Sequence, residues 1–206
     1  MRWGVHWRIG RDSLHGRESL MFQLGTILPD WFERHPIHRR KESLGLIAER
    51  IVRLREMQPS RKRDWYLGTV AHFLCDYCCM AHNEEYYRFY RHRVYEVESQ
   101  KYYKRVRAER KPRYVAAQLR FLEQAKRLHP ALFDGTLSDD DFRGEMLDLI
   151  NSAVLSLHRK IEALNTAEWW TDLRVAELDV RYSYYLIHAV LTALHAHGTE
   201  GGNAYV

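Results

Sequence analysis

Apolar residues recur along most of the chain at intervals of three and four positions, which is the spacing of residues on one face of an α-helix. The strict alternation of apolar and polar residues that marks half-buried β-strands is scarce. The segment ESLGLIAERIVRLREM is predicted to form an amphipathic helix that ends before Pro59. Ser60 is predicted to cap the next helix, which continues through RDWYLGTVAHFLCDY.

The helical pattern continues through the middle of the chain. Residues 84–110 form an aromatic-rich stretch that is predicted to be one long helix ending near Pro112. Residues 114–128 are predicted to form the following helix, which ends at the pair His129 and Pro130 because proline cannot continue it.

The last third of the chain is also predicted to be helical. Residues 132–138, LFDGTLS, are predicted to form a turn. Ser138 and Asp141 are predicted to form a capping box at the start of the next helix. The last helix is predicted to begin near Glu168 and to stop at Gly198. The chain is therefore predicted to be a single all-α domain over residues 1–206, with six or seven helices.

The composition is that of a globular protein with a core of its own. The chain has 206 residues, of which 46% are apolar and 29% are charged. The formal net charge of +5 suits phosphate-bearing partners, but the excess is too small to require a nucleic acid.

The cellular compartment is predicted from segments that the sequence lacks. No apolar run approaches the roughly 20 residues that a membrane-spanning helix needs. The N-terminal residues have no apolar region of the kind found in signal peptides, so we expect a cytoplasmic protein. The three cysteines, Cys75, Cys78 and Cys79, are clustered and odd in number. They are predicted to be small buried residues and not a disulfide framework.

Five side chains between residues 72 and 96 have the chemistry and spacing of metal ligands. His72 and Asp76 are four residues apart, so they project from the same face of one helix. His92 and Glu96 have the same spacing on the next helix, and His82 lies where the chain should turn between the two. Antiparallel packing across that turn would bring all five together. Imidazole nitrogens and carboxylate oxygens are the ligands that zinc favours where no thiolates are offered.

Further candidate ligands lie closer to the N-terminus. Asp30 follows a Leu-Pro turn, from which its side chain can project into a site. His35 and His38 come just after it, and His38 is the preferred candidate of the two. Of His6 and His15, His6 is the preferred candidate.

The ligand spacing resembles that of a known family. The pattern His72-x3-Asp76-x5-His82, followed by His92-x3-Glu96, is similar to the signature of the zinc-dependent phospholipase C family, which shares its fold with the fungal single-strand nucleases. The segments LGTILPDW and LGTVAHFLCDY resemble those of small bacterial members. The resemblance covers roughly residues 6–100, and the rest of the chain matches only as generic helix.

The resemblance implies two zinc ions and raises the question of a third. The first ion would be held by Asp30, His38, His72 and Asp76, and the second by His82, His92 and Glu96. In secreted members a third ion is bound by the free amino group of an N-terminal tryptophan. Trp3 is not N-terminal here, so we predict a third position bounded by His6 and Asp76 that holds its ion more weakly.

The resemblance also implies an activity, which is hydrolysis of a phosphoester by zinc-activated water. The expected substrate is a phospholipid-type phosphodiester or a small phosphoester, and Asp30 would both bind metal and orient the water. Two alternatives remain open. One is a nuclease-type phosphodiesterase that stacks bases on its aromatic residues, and the other is a non-enzymatic helical metal-binding protein. The oligomeric state is left open.

Overall fold

The computed structural model describes residues 3–13, 19–32, 40–83, 89–109 and 111–196. The helices in these ranges are α1 (Trp3–Ser13), α2 (Leu20–Gly25), α3 (Pro29–Phe32), α4 (Arg40–Glu56), α5 (Arg61–Cys78), α6 (Phe89–Glu109), α7 (Lys111–Leu128), α8 (Ala131–Asp134), α9 (Asp139–Glu162) and α10 (Leu173–Ala196). A 3₁₀ turn, Met80–His82, follows α5. None of the described residues forms a β-strand, so the all-α prediction is confirmed.

Two predicted helix starts are confirmed by their hydrogen bonds. The Oγ atom of Ser60 accepts a hydrogen bond from the backbone N–H of Arg63 at 3.2 Å, which caps α5. The Oγ atom of Ser138 accepts from the backbone N–H of Asp141 at 3.2 Å and donates to its carboxylate at 2.6 Å. The two bonds donated by backbone N–H groups satisfy donors that have no partner inside the helix.

Two predicted helix boundaries were wrong. Residues 132–138 do not form a simple turn, because α8 continues to Asp134 before Gly135 reverses the chain with a φ of 81°. The last helix does not begin near Glu168, because residues 167–171 form turns and α10 begins at Leu173. There the carboxylate of Asp172 accepts a hydrogen bond from the N–H of Arg174 at 2.9 Å, which favours a helix start at this point. The predicted stop at Gly198 lies outside the described residues.

The helices α5 and α10 lie at the centre of the protein. α5 is buried almost continuously from Leu67 to Cys78 because α2, α4 and α10 all pack against it. α10 contributes fully buried residues such as Leu186 and Ile187. Burial of each such side chain stabilises the fold by about 1.5–3 kcal/mol. None of the helices within the described ranges is long and apolar enough to cross a membrane.

The position of α2 matters most for the site described next. Its C-terminal end crosses α5 at the glycines of two LGT tripeptides, Gly25 and Gly68. The lack of side chains at this crossing lets the two backbones touch. As a result the carbonyl group of Thr26 faces the buried side of α5, where His72 lies.

Candidate metal centre

His72 and Asp76 form the buried middle of the centre. They lie one turn apart on α5, and both side chains are fully buried. The Nε2 atom of His72 is 3.3 Å from Oδ2 of Asp76. The Nδ1 atom of His72 is 3.1 Å from the carbonyl oxygen of Thr26. Because a carbonyl can only accept, Nδ1 carries the proton, and the lone pair of Nε2 is left to face the centre.

Asp30 connects this buried pair with the protein surface. It lies in the first turn of α3, and its Oδ1 atom is 3.8 Å from Nε2 of His72. Its side chain remains 26% exposed, whereas that of His72 is fully buried. Asp30 is therefore the exposed member of a group whose other members are buried.

His6 reaches the centre from α1. Its side chain is buried, its Nε2 atom lies 3.4 Å from Oδ1 of Asp76, and its ring stacks on that of His72 with centroids 4.2 Å apart. Potential ligand atoms of His6, Asp30, His72 and Asp76 all lie within 4.8 Å of one another. The four side chains thus form one compact group.

The second predicted group lies against the first. The Nε2 atom of His82, on the 3₁₀ turn, is 3.5 Å from Oδ1 of Asp76 and 3.2 Å from Nε2 of His92 on α6. The Nε2 atom of His92 is in turn 3.8 Å from Oε1 of Glu96. Asp76 and His82 therefore join the two predicted ligand groups into a continuous series.

The electrostatic environment of His6 and Asp76 favours the protonation states that metal ligation requires. Burial, together with the neighbouring His72, holds the pKa of His6 well below its usual value. Burial alone would raise the pKa of Asp76, but His82 and His6 hold it well below its usual value. The imidazole of His6 is therefore neutral and the carboxyl group of Asp76 is ionised at neutral pH, as metal ligation requires.

The distances from the carboxylate of Asp76 to three imidazoles fit zinc ligation. Ligands of a tetrahedral zinc ion lie about 2.0–2.1 Å from it, and therefore roughly 3.3–3.4 Å from one another. The contacts of Asp76 with His6, His72 and His82 measure 3.4, 3.3 and 3.5 Å. Charge-assisted hydrogen bonds between such groups would be shorter, at about 2.7–2.9 Å. These three distances are closer to those between ligands of one metal ion than to those of hydrogen-bonded ion pairs.

The cysteines beside the centre are not part of the ligand group found among the described residues. All three are buried, as predicted. Burial raises the pKa of Cys75 well above its usual value and raises the pKa of Cys79 to about 12. A thiol must lose its proton to bind zinc. The raised pKa values of Cys75 and Cys79 therefore disfavour thiolate ligands and leave nitrogen and oxygen atoms as the available ligands.

Some predicted residues lie outside the described part of the chain, and some important ones were not predicted. His38, its alternative His35, and His15 lie outside the described residues. Sequence reasoning missed the role of Thr26, although its LGT tripeptide was visible. It also missed Asp179 on α10, whose carboxylate accepts a hydrogen bond from the backbone N–H of Met80 and which no local motif marks.

The comparison with known proteins is consistent with this geometry. The family model described as zinc dependent phospholipase C matches residues 7–139. Neither a curated protein nor a solved structure matches the chain at a significant level. The family match covers more than half of the 206 residues and includes every predicted ligand except His6. The chain therefore belongs to the zinc-dependent phospholipase C family.

Proposed function

We propose that the protein hydrolyses phosphoesters in a zinc-dependent reaction and that its substrates are phosphodiesters of the phospholipid type. The family supports this at the level of a zinc-dependent phosphoester hydrolase. The observation that carries the proposal is the buried series of nitrogen and oxygen donors whose exposed member is Asp30. A purely structural metal site would be closed by its ligands on all sides.

The proposed zinc ligands are the residues of the two predicted groups, together with His6 from the predicted third position. They are His6, Asp30, His38, His72, Asp76, His82, His92 and Glu96. Asp76 lies between His6, His72 and His82, so its carboxylate would contribute ligand atoms to both halves of the centre. The bond from His72 to the carbonyl of Thr26 holds the imidazole in the tautomer and orientation that ligation needs.

Asp30 is the proposed catalytic residue. Zinc, when bound, supplies Lewis-acid stabilisation of the charge that develops on the phosphoryl oxygens and lowers the pKa of water at the site. The partly exposed carboxylate of Asp30 can accept a hydrogen bond from the attacking water and receive its proton at an Oδ atom. No serine or cysteine nucleophile is needed for this route.

A nuclease-type phosphodiesterase is the second candidate, and one feature of α6 favours it. Tyr90 is 75% exposed in the first turn of this helix, and the side chain of Arg93 is 63% exposed. Both lie close in sequence to His92. An exposed aromatic ring beside a guanidinium group can stack on a base and contact a phosphate.

The test uses the full chain, reconstituted with zinc, on four substrates. These are a chromogenic phosphodiester, a chromogenic phosphocholine ester, phosphatidylcholine vesicles and single-stranded DNA. We expect hydrolysis of the phosphocholine ester and of the vesicles that is lost with a chelator and restored by zinc. Asp30→Asn should lower turnover far more than it lowers the content of the second zinc. Asp140→Asn is the matched control, because Asp140 is an exposed carboxylate in the first turn of α9.

Each result decides between the candidates. Cleavage of DNA with no turnover of the choline ester would establish the nuclease. Protein that carries its full zinc content but is inert on all four substrates would overturn the enzymatic proposal and favour a structural centre.

A further inference from the structure

A buried carboxylate on α10 connects the two segments that carry the second ligand group. Asp179 is fully buried. One of its oxygens, Oδ2, accepts a hydrogen bond from the backbone N–H of Met80 at 2.8 Å. The same oxygen accepts a short hydrogen bond from the hydroxyl group of Tyr95.

The first of these bonds holds the turn that presents His82. Met80 is the first residue of the 3₁₀ turn Met80–His82, and the preceding residue, Cys79, makes no capping bond with its side chain. The N–H of Met80 would otherwise lack a partner within this turn. The carboxylate of Asp179 supplies that partner from another helix, so it acts on the turn as a cap would.

The second bond holds the helix that presents His92 and Glu96. Tyr95 is buried on α6, three residues after His92 and directly before Glu96. Its ring also packs against Trp169, with centroids 5.6 Å apart. One oxygen atom therefore fixes both the turn and the helix whose imidazoles meet with Nε2 atoms 3.2 Å apart.

From this geometry we infer that Asp179 is the positioning residue of the His82, His92 and Glu96 half of the centre. The inference rests on the proposed function, because it assigns this half a metal. It adds a residue from α10, beyond residues 7–139 that the family model matches. A carboxylate is costly to bury, and an apolar residue of similar size would serve packing alone at least as well. A role in orienting the metal ligands accounts for its presence in the core.

The experiment measures metal binding and does not depend on activity. Metal-free full-length protein is titrated with Co²⁺, whose visible d–d absorption reports the geometry of its ligands. The absorption lost in His92→Ala identifies the component that belongs to this half of the centre. In Asp179→Ala, the Co²⁺ affinity measured from this absorption component should be about 10- to 100-fold lower than in the wild-type protein. This is the usual effect of losing a partner that orients a metal ligand.

Two further variants separate positioning from stability. In Asp179→Asn the amide oxygen can accept both hydrogen bonds, so binding should return close to the wild-type value. Tyr95→Phe removes one donor and leaves the carboxylate, so it should weaken the same component by less than Asp179→Ala does. Leu186→Ala is the control, because it truncates a fully buried side chain on the same helix. It should lower stability and leave Co²⁺ binding unchanged.

The outcomes distinguish the two proposals. If the wild-type protein binds no Co²⁺, the proposed function fails and the inference fails with it. If the wild-type protein binds Co²⁺ at both halves and Asp179→Ala and Tyr95→Phe bind it equally well, the inference alone is overturned. Should Asp179→Ala not fold, as judged by circular dichroism, Tyr95→Phe and Asp179→Asn decide the question.

Discussion

Gly25 and Gly68 lie in direct backbone contact where α2 crosses α5. A Cβ atom on Gly68 would lie 2.2 Å from the carbonyl oxygen of Phe22 and 2.9 Å from the Cα atom of Gly25. Real Cβ atoms do not approach backbone atoms so closely, so no side chain fits without separating the helices. This contact sets the distance between the carbonyl oxygen of Thr26 and the imidazole of His72.

The crossing predicts that Gly68→Ala weakens both the fold and the metal centre. Because the clash is with backbone, the helices must move apart, which should lower the free energy of unfolding by about 1–3 kcal/mol. The bond from His72 to Thr26 should then lengthen, and zinc affinity should fall. Denaturant titration of the metal-free protein measures the first effect, and a chelator competition measures the second.

Gly45→Ala provides the control for this substitution. Gly45 lies inside α4, and a Cβ atom there would meet nothing within 4 Å. The same chemical change should therefore stabilise the protein by about 0.5–1 kcal/mol, because alanine favours the helix. Equal free energies of unfolding for the two variants would contradict the close contact between Gly25 and Gly68.

The two ligand groups predict which zinc ion is lost when His72 or His92 is replaced. We expect the protein to purify with at least two zinc ions per chain. His72→Ala should lose the ion of the first group, because it removes a fully buried donor beside Asp76. His92→Ala should lose the ion of the second group. Elemental analysis checks each loss, and less than about half an equivalent of metal in the wild-type protein would contradict the centre.

Bound zinc should also stabilise the fold. The donors of the centre come from α1, α3, α5, the 3₁₀ turn and α6, so an ion that binds them favours the folded chain over the unfolded one. Zinc at 100 times its dissociation constant adds about 2.7 kcal/mol per site, which corresponds to roughly 5–10 °C in melting temperature for a chain of this size. Differential scanning calorimetry with and without a chelator measures the shift. His92→Ala should show a smaller shift than the wild-type protein, and an unchanged melting temperature in the wild-type protein would argue against ligation.

Local patterns in the sequence predicted the features that depend on neighbouring residues. Helix starts at Ser60 and Ser138 follow from the side chains that cap them. The pairing of His72 with Asp76 follows from their spacing on one helix face. Each of these features depends on residues within one helical turn, so sequence spacing alone was enough to find it.

The features that the sequence did not reveal depend on helix packing. The start of α10 was placed too early because apolar residues continue through Trp169 and Trp170. Both rings instead project from a turn. Trp169 packs against Tyr95, and the guanidinium of Arg91 lies over the ring of Trp170. The contact of Asp179 with Met80 likewise depends on α10 packing against the region after α5, which no periodicity encodes.

The position of His6 predicts which metal is held most weakly. His6 is buried on α1, its Nε2 atom faces Asp76, and its ring stacks on that of His72. A third ion bounded by His6 and Asp76 would have fewer protein ligands than the other two, so dialysis against a mild chelator should remove it first. His6→Ala should abolish this site and leave the ions at His72 and His92 in place. Metal analysis after graded dialysis measures the order of loss.

His188→Ala is the matched control for His6→Ala. His188 also contacts α1, since its Nδ1 atom lies 3.2 Å from the carbonyl oxygen of Ser13, but it is not part of the ligand series. Its replacement should leave every metal in place. If His6→Ala removed the ion of His72 as well, His6 would be a ligand of the first site. The compact group of His6, Asp30, His72 and Asp76 would then hold a single ion, and the protein would bind two metals and not three.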